Sequence, residues 1–323
     1  MNNPIKSRAG FVAVIGAPNA GKSTLTNALV GEKVSIVTHK VQTTRFQVRG
    51  IAMLETANDE EAQVVLVDTP GIFAPKETDR LAKSMVHAAW TGVGDSDAIV
   101  HVVDAPAHHR YKNGEGSAQD RLSVEDTQRV VAGLKLREQK KVFLALNKID
   151  EMPHDLLLEQ IAEFGKLEVY TEIFLISALN LDGVDGLSKT LAETMPQGPF
   201  LYPADQAADI PSRLMAAEIT REKLFLRLHD ELPYASTVET EKWTNQKNGD
   251  IRIDQIIYVR RESQKPIVLG KGGKTIKDIG GAARRDMQDW LGRKVHLFLF
   301  VKVRDNWQND KARYVESGLE FDV

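Results

Sequence analysis

The sequence predicts an α/β, doubly wound domain over residues 1–195, a linker over 196–212 and a smaller α+β domain over 213–323. Three observations carry this. Up to Met195, short apolar runs alternate with amphipathic stretches, and polar motifs sit at the ends of the apolar runs. The segment 195–203 then holds three prolines and a glycine without periodicity, which marks a break between domains.

In order, strands are expected at 11–15, 46–54, 64–67, 98–103, 142–146 and 173–176, with helices at 25–30, 81–90, 124–136 and 156–167. Several of these strands are apolar throughout, as in a sheet covered by helices on both faces. Such sheets bind ligands at the carboxyl ends of their strands. Residues 106–120, rich in His, Gly and Asn, are expected to form an unusually long surface loop, with no metal role for His108 and His109. After the linker the order becomes α-β-β-α-α-β, with a helix at 212–228, strands at 236–243 and 251–260, helices at 264–269 and 274–291, and a strand at 294–304. Ile276, Ile279, Ala283, Met287 and Trp290 recur at steps of three and four, a core stripe. Gly280 and Gly281 interrupt that helix and suggest close helix packing.

With 42% hydrophobic and 27% charged residues, the 323-residue chain is neither disordered nor fibrous. It has no cysteine, which excludes disulfides, thiolate nucleophiles and cysteine-bound zinc. Lys6 and Arg8 before the apolar run 11–15 imitate a secretory signal, but that run is too short and leads straight into a glycine-rich motif. No stretch approaches the roughly 20 apolar residues of a spanning helix, so a cytoplasmic location is expected.

That motif is Gly16-x-x-x-x-Gly21-Lys22-Ser23, between a strand and a helix. Backbone N–H groups there curl around an anion at a helix N-terminus, so Gly16, Asn19, Ala20, Gly21, Lys22, Ser23 and Thr24 are expected to surround phosphates. Lys22 bridges the β- and γ-phosphates, and the Ser23 hydroxyl ligates Mg²⁺. Asp68-Thr69-Pro70-Gly71 follows the strand 64–67, which lets Asp68 hold the metal through water and Gly71 offer its N–H to a γ-phosphate. Asn147-Lys148-Ile149-Asp150 chooses the base. An ionised carboxylate only accepts, so Asp150 takes hydrogens from guanine N1–H and N2–H₂, which adenine lacks there. This conflicts with use of ATP. Asn147 is expected to donate to N7, the Lys148 stem to cover the ring, and Ser177-Ala178 to give a backbone N–H to O6. Thr43-Thr44-Arg45 lies where a mobile segment brings a Thr hydroxyl to Mg²⁺ in the GTP state, with Thr44 favoured over Thr43. Together these residues predict a P-loop GTPase domain in which Lys22, Thr44 and Gly71 serve hydrolysis.

Position 72 is Ile where Ras-like proteins carry the Gln that orients the attacking water. A partner, a backbone group or a monovalent cation held near Asn19 must replace it. Turnover of the isolated protein is expected to be slow, on the order of 10⁻³ to 10⁻² s⁻¹.

Residues 242–314 hold 17 Lys+Arg against 8 Asp+Glu, a net +9, which leaves −12 for the rest of a chain whose total is −3. A basic domain tethered to an acidic one is the footprint of polyanion binding. Gly270-Lys271-Gly272-Gly273 between two helices fits a G-x-x-G loop, where glycines admit a sugar-phosphate backbone and Lys271 and Lys274 attract it. Lys277, Arg284 and Arg285 lie off the core stripe and are free to assist. In this element order the loop predicts an α+β type II KH domain for single-stranded RNA. An alternative makes the basic domain a dock for a protein or an anionic membrane, with the GTPase signalling.

The phosphate loop, Gln42-Thr43-Thr44-Arg45, Asp68-Thr69-Pro70-Gly71, Asn147-Lys148-Ile149-Asp150 and Ser177-Ala178-Leu179 together resemble the Era family of bacterial GTPases. Glu218-Ile219-Thr220-Arg221-Glu222-Lys223, Glu231-Leu232-Pro233-Tyr234 and Leu291-Gly292-Arg293-Lys294-Val295 extend the resemblance through the second half. It implies GTP/GDP and Mg²⁺ as cofactors, binding of the 16S rRNA 3′ end, and a role in maturing the 30S subunit. It also implies a cytoplasmic location with some peripheral association with the inner membrane, and a hydrophobic residue at position 72. The long 106–120 segment and Phe46 after Arg45 depart from the family pattern.

Overall fold

The computed structural model describes residues 7–40, 43–137 and 141–323, so Lys6 and Gln42 lie outside the described residues. These form two compact units, one drawn from the described residues of 7–35, 43–137, 141–209 and 312–323, the other from 36–40 and 210–311.

The first unit is built on a seven-stranded sheet of β1 (Arg8–Ile15), β2 (Val48–Glu55), β3 (Glu61–Asp68), β4 (Ala98–Asp104), β5 (Lys141–Asn147), β6 (Glu172–Ile176) and β7 (Ala208–Asp209) in the order β6-β5-β4-β1-β3-β2-β7. β2 runs antiparallel to β3, and β7 antiparallel to β2. The remaining pairs are parallel. The helices are α1 (Lys22–Val30), α2 (Arg80–Gly94), α3 (Ala105–Lys112), α4 (Ala118–Lys135), α5 (His154–Gly165) and α6 (Val184–Thr194). One face of the sheet packs Val12, Val14, Leu66 and Val100 against Leu25 of α1 and Leu187 and Leu191 of α6. The other packs Ala13, Ile15 and Ile99 against Ala89 and Val93 of α2 and Val130 and Leu134 of α4. Both faces are thus dry, which is why the strands read as unbroken apolar runs.

The expected 106–120 loop is corrected by α3 and by the start of α4. Asp104 caps α3 by accepting the Ala107 N–H at 2.9 Å, and Pro106 sits in the first helical turn, where its missing N–H costs no hydrogen bond. Ser117 and Asp120 form a capping box at the head of α4, and the Arg110 guanidinium holds the Asp120 carboxyl down at about 2. His108 packs its ring on Phe164, and His109 meets Asn113 on the surface.

Residues 196–209, expected as linker, lie along the first unit. The buried Gln63 accepts the N–H groups of Leu201 and Tyr202 at 2.8 and 2.9 Å and donates to the Tyr202 carbonyl. β7 then adds a short strand to the edge of β2.

In the second unit, α7 (Ser212–Arg227), β8 (Ser236–Asn245), β9 (Ile251–Val259), α8 (Lys265–Leu269), α9 (Lys274–Leu291) and β10 (Val295–Val303) follow the expected order. β8 and β9 are antiparallel, while β9 and β10 are parallel. α9 buries Ile279, Ala283 and Met287, the last two packed with Met215 and Ile219 of α7 and Ile253 of the sheet. Close packing is found at Gly280 only, and against the sheet rather than another helix: a Cβ there would meet Leu299 of β10 at 3.3 Å, tighter than ordinary contact, whereas one on Gly281 would meet only Arg285 at 3.9 Å. A last helix, α10 (Lys311–Glu316), leads into residues of the first unit, where Arg80 lies 4.2 Å from the Phe321 ring and Tyr314 meets that ring edge-on.

Candidate functional site

β1 delivers the loop 16–21 to the head of α1. Gly21, with φ +100°, turns the chain into the helix, and a Cβ there would lie 2.1 Å from the Asn147 amide nitrogen. Lys22 is buried, and its Nζ donates to the carbonyls of Gly16 and Ala17 at 3.2 and 2.9 Å. Burial brings its ammonium down to about 8, against the pull of Asp68 and Asp126. Asn19 stands in the left-handed region at φ 63°, Ala20 is buried, and Thr24 occupies the first turn of α1.

Ser23, Thr44 and Asp68 meet. The Ser23 hydroxyl is 2.7 Å from Asp68 Oδ2 and 3.0 Å from the Thr44 hydroxyl. Asp68 Oδ1 is buried without a hydrogen bond, and burial raises its carboxyl. Ser35 Oγ lies close enough to temper that rise but makes no hydrogen bond of normal geometry. Two hydroxyls beside an unsatisfied carboxylate oxygen form a hard oxygen donor set, which fits Mg²⁺. Gly71 packs against Pro18, and the next N–H, that of Ile72, is donated to the Gly16 carbonyl at 3.1 Å. The Ile72 side chain is buried with Ala13 and Ile15, so it does not face attacking water.

At the end of β5, the Asn147 amide braces two loops, donating to the Ala20 carbonyl at 2.8 Å and accepting the Ala178 N–H at 2.9 Å. The Ser177 N–H goes to the Asp182 carbonyl at 2.9 Å. Both amides of Ser177–Ala178 are thus paired within the protein, so an N–H offered there to a base oxygen would share or exchange its present partner. Asn147 retains one Nδ2 hydrogen beyond its bond to Ala20. Lys148 stands at φ 67°, its ammonium paired with Asp104, and Asp150 is exposed in the following turn, Ile149–Glu151. Asp104 escaped the motif reading, although an Asp closing an apolar strand just before Ala-Pro is a recognisable helix cap.

In the second unit, Gly270 takes φ +73°, and a Cβ there would sit 2.8 Å from the Thr275 nitrogen. Lys271 and Gly272 are exposed, and Gly273 precedes α9. Lys274, Lys277, Arg284 and Arg285 are exposed along α9. The loop and these cations adjoin without a carboxylate bonded to any of the three lysines among the described contacts.

Fold and site define a P-loop protein built to bind guanine nucleotides and carrying a KH module. Residues 11–148 match the family described as "50S ribosome-binding GTPase", and residues 231–308 match the KH domain. The chain is 58% identical over 316 residues to GTPase Era of Maricaulis maris, covering 98% of each, and 52% identical over 318 residues to GTPase Era of Caulobacter vibrioides, again 98% of each. A crystal structure of a point variant of Aquifex aeolicus Era bound to GDP·AlF₄⁻ superposes with a TM-score of 0.84 at 36% identity, covering 96% of this chain and 99% of that one. A structure of Era with MgGDPNP and nucleotides 1506–1542 of 16S rRNA superposes with a TM-score of 0.81 at 36% identity, covering 97% and 99%. The chain belongs to the Era family of GTPases.

Proposed function

We propose that this chain is a GTP-operated switch that holds the 3′ end of 16S rRNA in its KH groove and promotes maturation of the 30S subunit. The observation that carries the proposal is the pairing, in one chain, of the Ser23–Thr44–Asp68 cluster with a G-x-x-G loop heading a basic helix. The family description names the 50S subunit, but the relative solved with RNA holds 16S nucleotides, and the KH module present here supports the same class of ligand.

In this reading Gly16, Asn19, Ala20, Gly21, Lys22, Ser23 and Thr24 cradle the phosphates. Asn147, Lys148, Asp150, Ser177 and Ala178 frame the guanine. Ser23 and Thr44 would hold Mg²⁺, with Asp68 assisting through water, and the metal would supply positive charge against the phosphates. Lys22 and the Gly71 N–H bind the γ-phosphate. Ile72 leaves water positioning to another group, for which a monovalent cation near Asn19 is one candidate. Gly270, Lys271, Gly272 and Gly273 clamp the RNA backbone, with Lys274, Lys277 and Arg284 beside it. The protein works in the cytoplasm. Inner-membrane association would be peripheral, as no described helix is long and apolar enough to cross a membrane.

Crosslinking the GTP-bound protein in cell extract and sequencing the attached RNA tests the proposal. Recovery of the small-subunit rRNA 3′ end is expected, and recovery of large-subunit or scattered RNA instead would overturn it.

A further inference from the structure

We infer that Asp104 is a positioning residue of the guanine site, holding Lys148 so that its stem is ready to cover the base. The inference rests on the reading of Asn147–Asp150 as the guanine-recognition turn. Asp104 ends β4 directly beside Asn147, its partner in the parallel pairing of β4 with β5. Its two carboxylate oxygens have separate tasks. Oδ1 accepts the Ala107 N–H at 2.9 Å and caps α3, and Oδ2 accepts the Lys148 ammonium at 2.5 Å. The Asp104 side chain is 11% exposed and that of Lys148 30% exposed, so the pair is partly shielded from water and held at the protein end. With one oxygen fixed by a backbone N–H, the carboxylate cannot swing, and the lysine ammonium is anchored to the rigid end of a central strand.

Lys148 needs such an anchor. It stands at φ 67°, a conformation that side-chain-bearing residues rarely adopt and that surrounding contacts must hold. A lysine free at its tip also samples many rotamers and would lose that freedom when a base stacks on its methylenes. Tying the tip to Asp104 removes the freedom beforehand and leaves the apolar stem as the covering surface. Asp104 therefore acts on the nucleotide through Lys148.

The prediction concerns the release of a fluorescent GDP analogue from the full-length protein. Asp104→Asn keeps a side chain that caps a helix but loses the charge, and Asp104→Ser does the same with a different shape. Each should raise the release rate about tenfold, the effect of losing one charge-assisted hydrogen bond. In a Lys148→Ala background the same changes should raise it less than about twofold, because the residue through which Asp104 acts is gone. Thermal melting of each variant, close to that of the parent, separates this from a damaged α3. Equal acceleration in both backgrounds, or none in either, would overturn the role of Asp104. Unchanged release on Lys148→Ala alone would overturn the guanine-turn reading beneath it.

Discussion

At the scale of single residues, the proposed site divides into groups that would touch a nucleotide and groups that hold those in place. Asp150 is exposed in its turn, and in the proposed reading it accepts two hydrogens from guanine, so Asp150→Asn should weaken GTP binding by on the order of 10²-fold or more. Competition binding against GTP and XTP checks this, with selectivity expected to move toward the xanthine nucleotide. Asn147 shows where motif reading stops. Its place in Asn-Lys-x-Asp was legible, but the bonds to Ala20 and Ala178 join segments far apart in sequence and depend on how strands pair. The same holds for Ser177 and Ala178, whose N–H partners are set by the strand-end turn. His101 carried no sequence signal at all. It is fully buried in β4 with Nδ1 2.9 Å from the Tyr170 hydroxyl, and burial lowers it to about 3. Between about 6.5 and 3 the unfolded chain binds a proton there and the folded one does not, so stability falls as pH drops through this window. Thermal melts from pH 7 to pH 5 should show a decline, and His101→Leu should remove up to about 1.4 kcal/mol per pH unit of it. A decline as steep in the variant would contradict this.

At the scale of elements, apolar runs and strand-end motifs located the strands to within a few residues because both sheet faces are dry. α3 was missed for a physical reason. Pro106 reads as a breaker unless it occupies the first turn of a helix, and the polar residues 108–115 lack an apolar stripe. The second unit was more legible, since α9 has a strongly one-sided stripe and glycines stand at both of its ends. The doubled glycine within α9 misled in part, because a Cβ on Gly281 would meet no neighbour closer than 3.9 Å, whereas one on Gly280 would press on Leu299 of the sheet at 3.3 Å. The loop at the head of α9 carries the element-level prediction. Lys271→Asp with Gly272→Asp should abolish binding of single-stranded RNA while leaving GDP affinity unchanged, as measured by filter binding and nucleotide titration. Gly272 has nothing within 4 Å of a built Cβ, so the change is not a packing defect, although its φ of +61° adds local strain. Retained RNA binding, with loss of vesicle or protein docking, would favour the alternative role for the basic domain.

At the scale of the molecule, the near-neutral charge of −3 conceals a split between a basic segment and an acidic remainder. That split was legible from sequence. The crossing of segments between units was not, because it depends on contacts between residues distant in the chain. Residues 36–40, which lead into Thr43 and Thr44, belong to the second unit, where the Val37 N–H is donated to Glu222 Oε1 at 3.0 Å and the Lys40 ammonium to the Leu228 carbonyl. In the proposed reading, a γ-phosphate that orders Thr44 would act on chain continuous with this segment. Coupling between sites is reciprocal, so GTP should tighten RNA binding by the same factor that RNA tightens GTP binding, on the order of 5- to 150-fold. The decisive measurement is the affinity of the full-length protein for the 16S rRNA 3′ end, loaded with a non-hydrolysable GTP analogue and then with GDP. Tighter binding in the GTP state is expected, and equal affinity in the two states would contradict the switch.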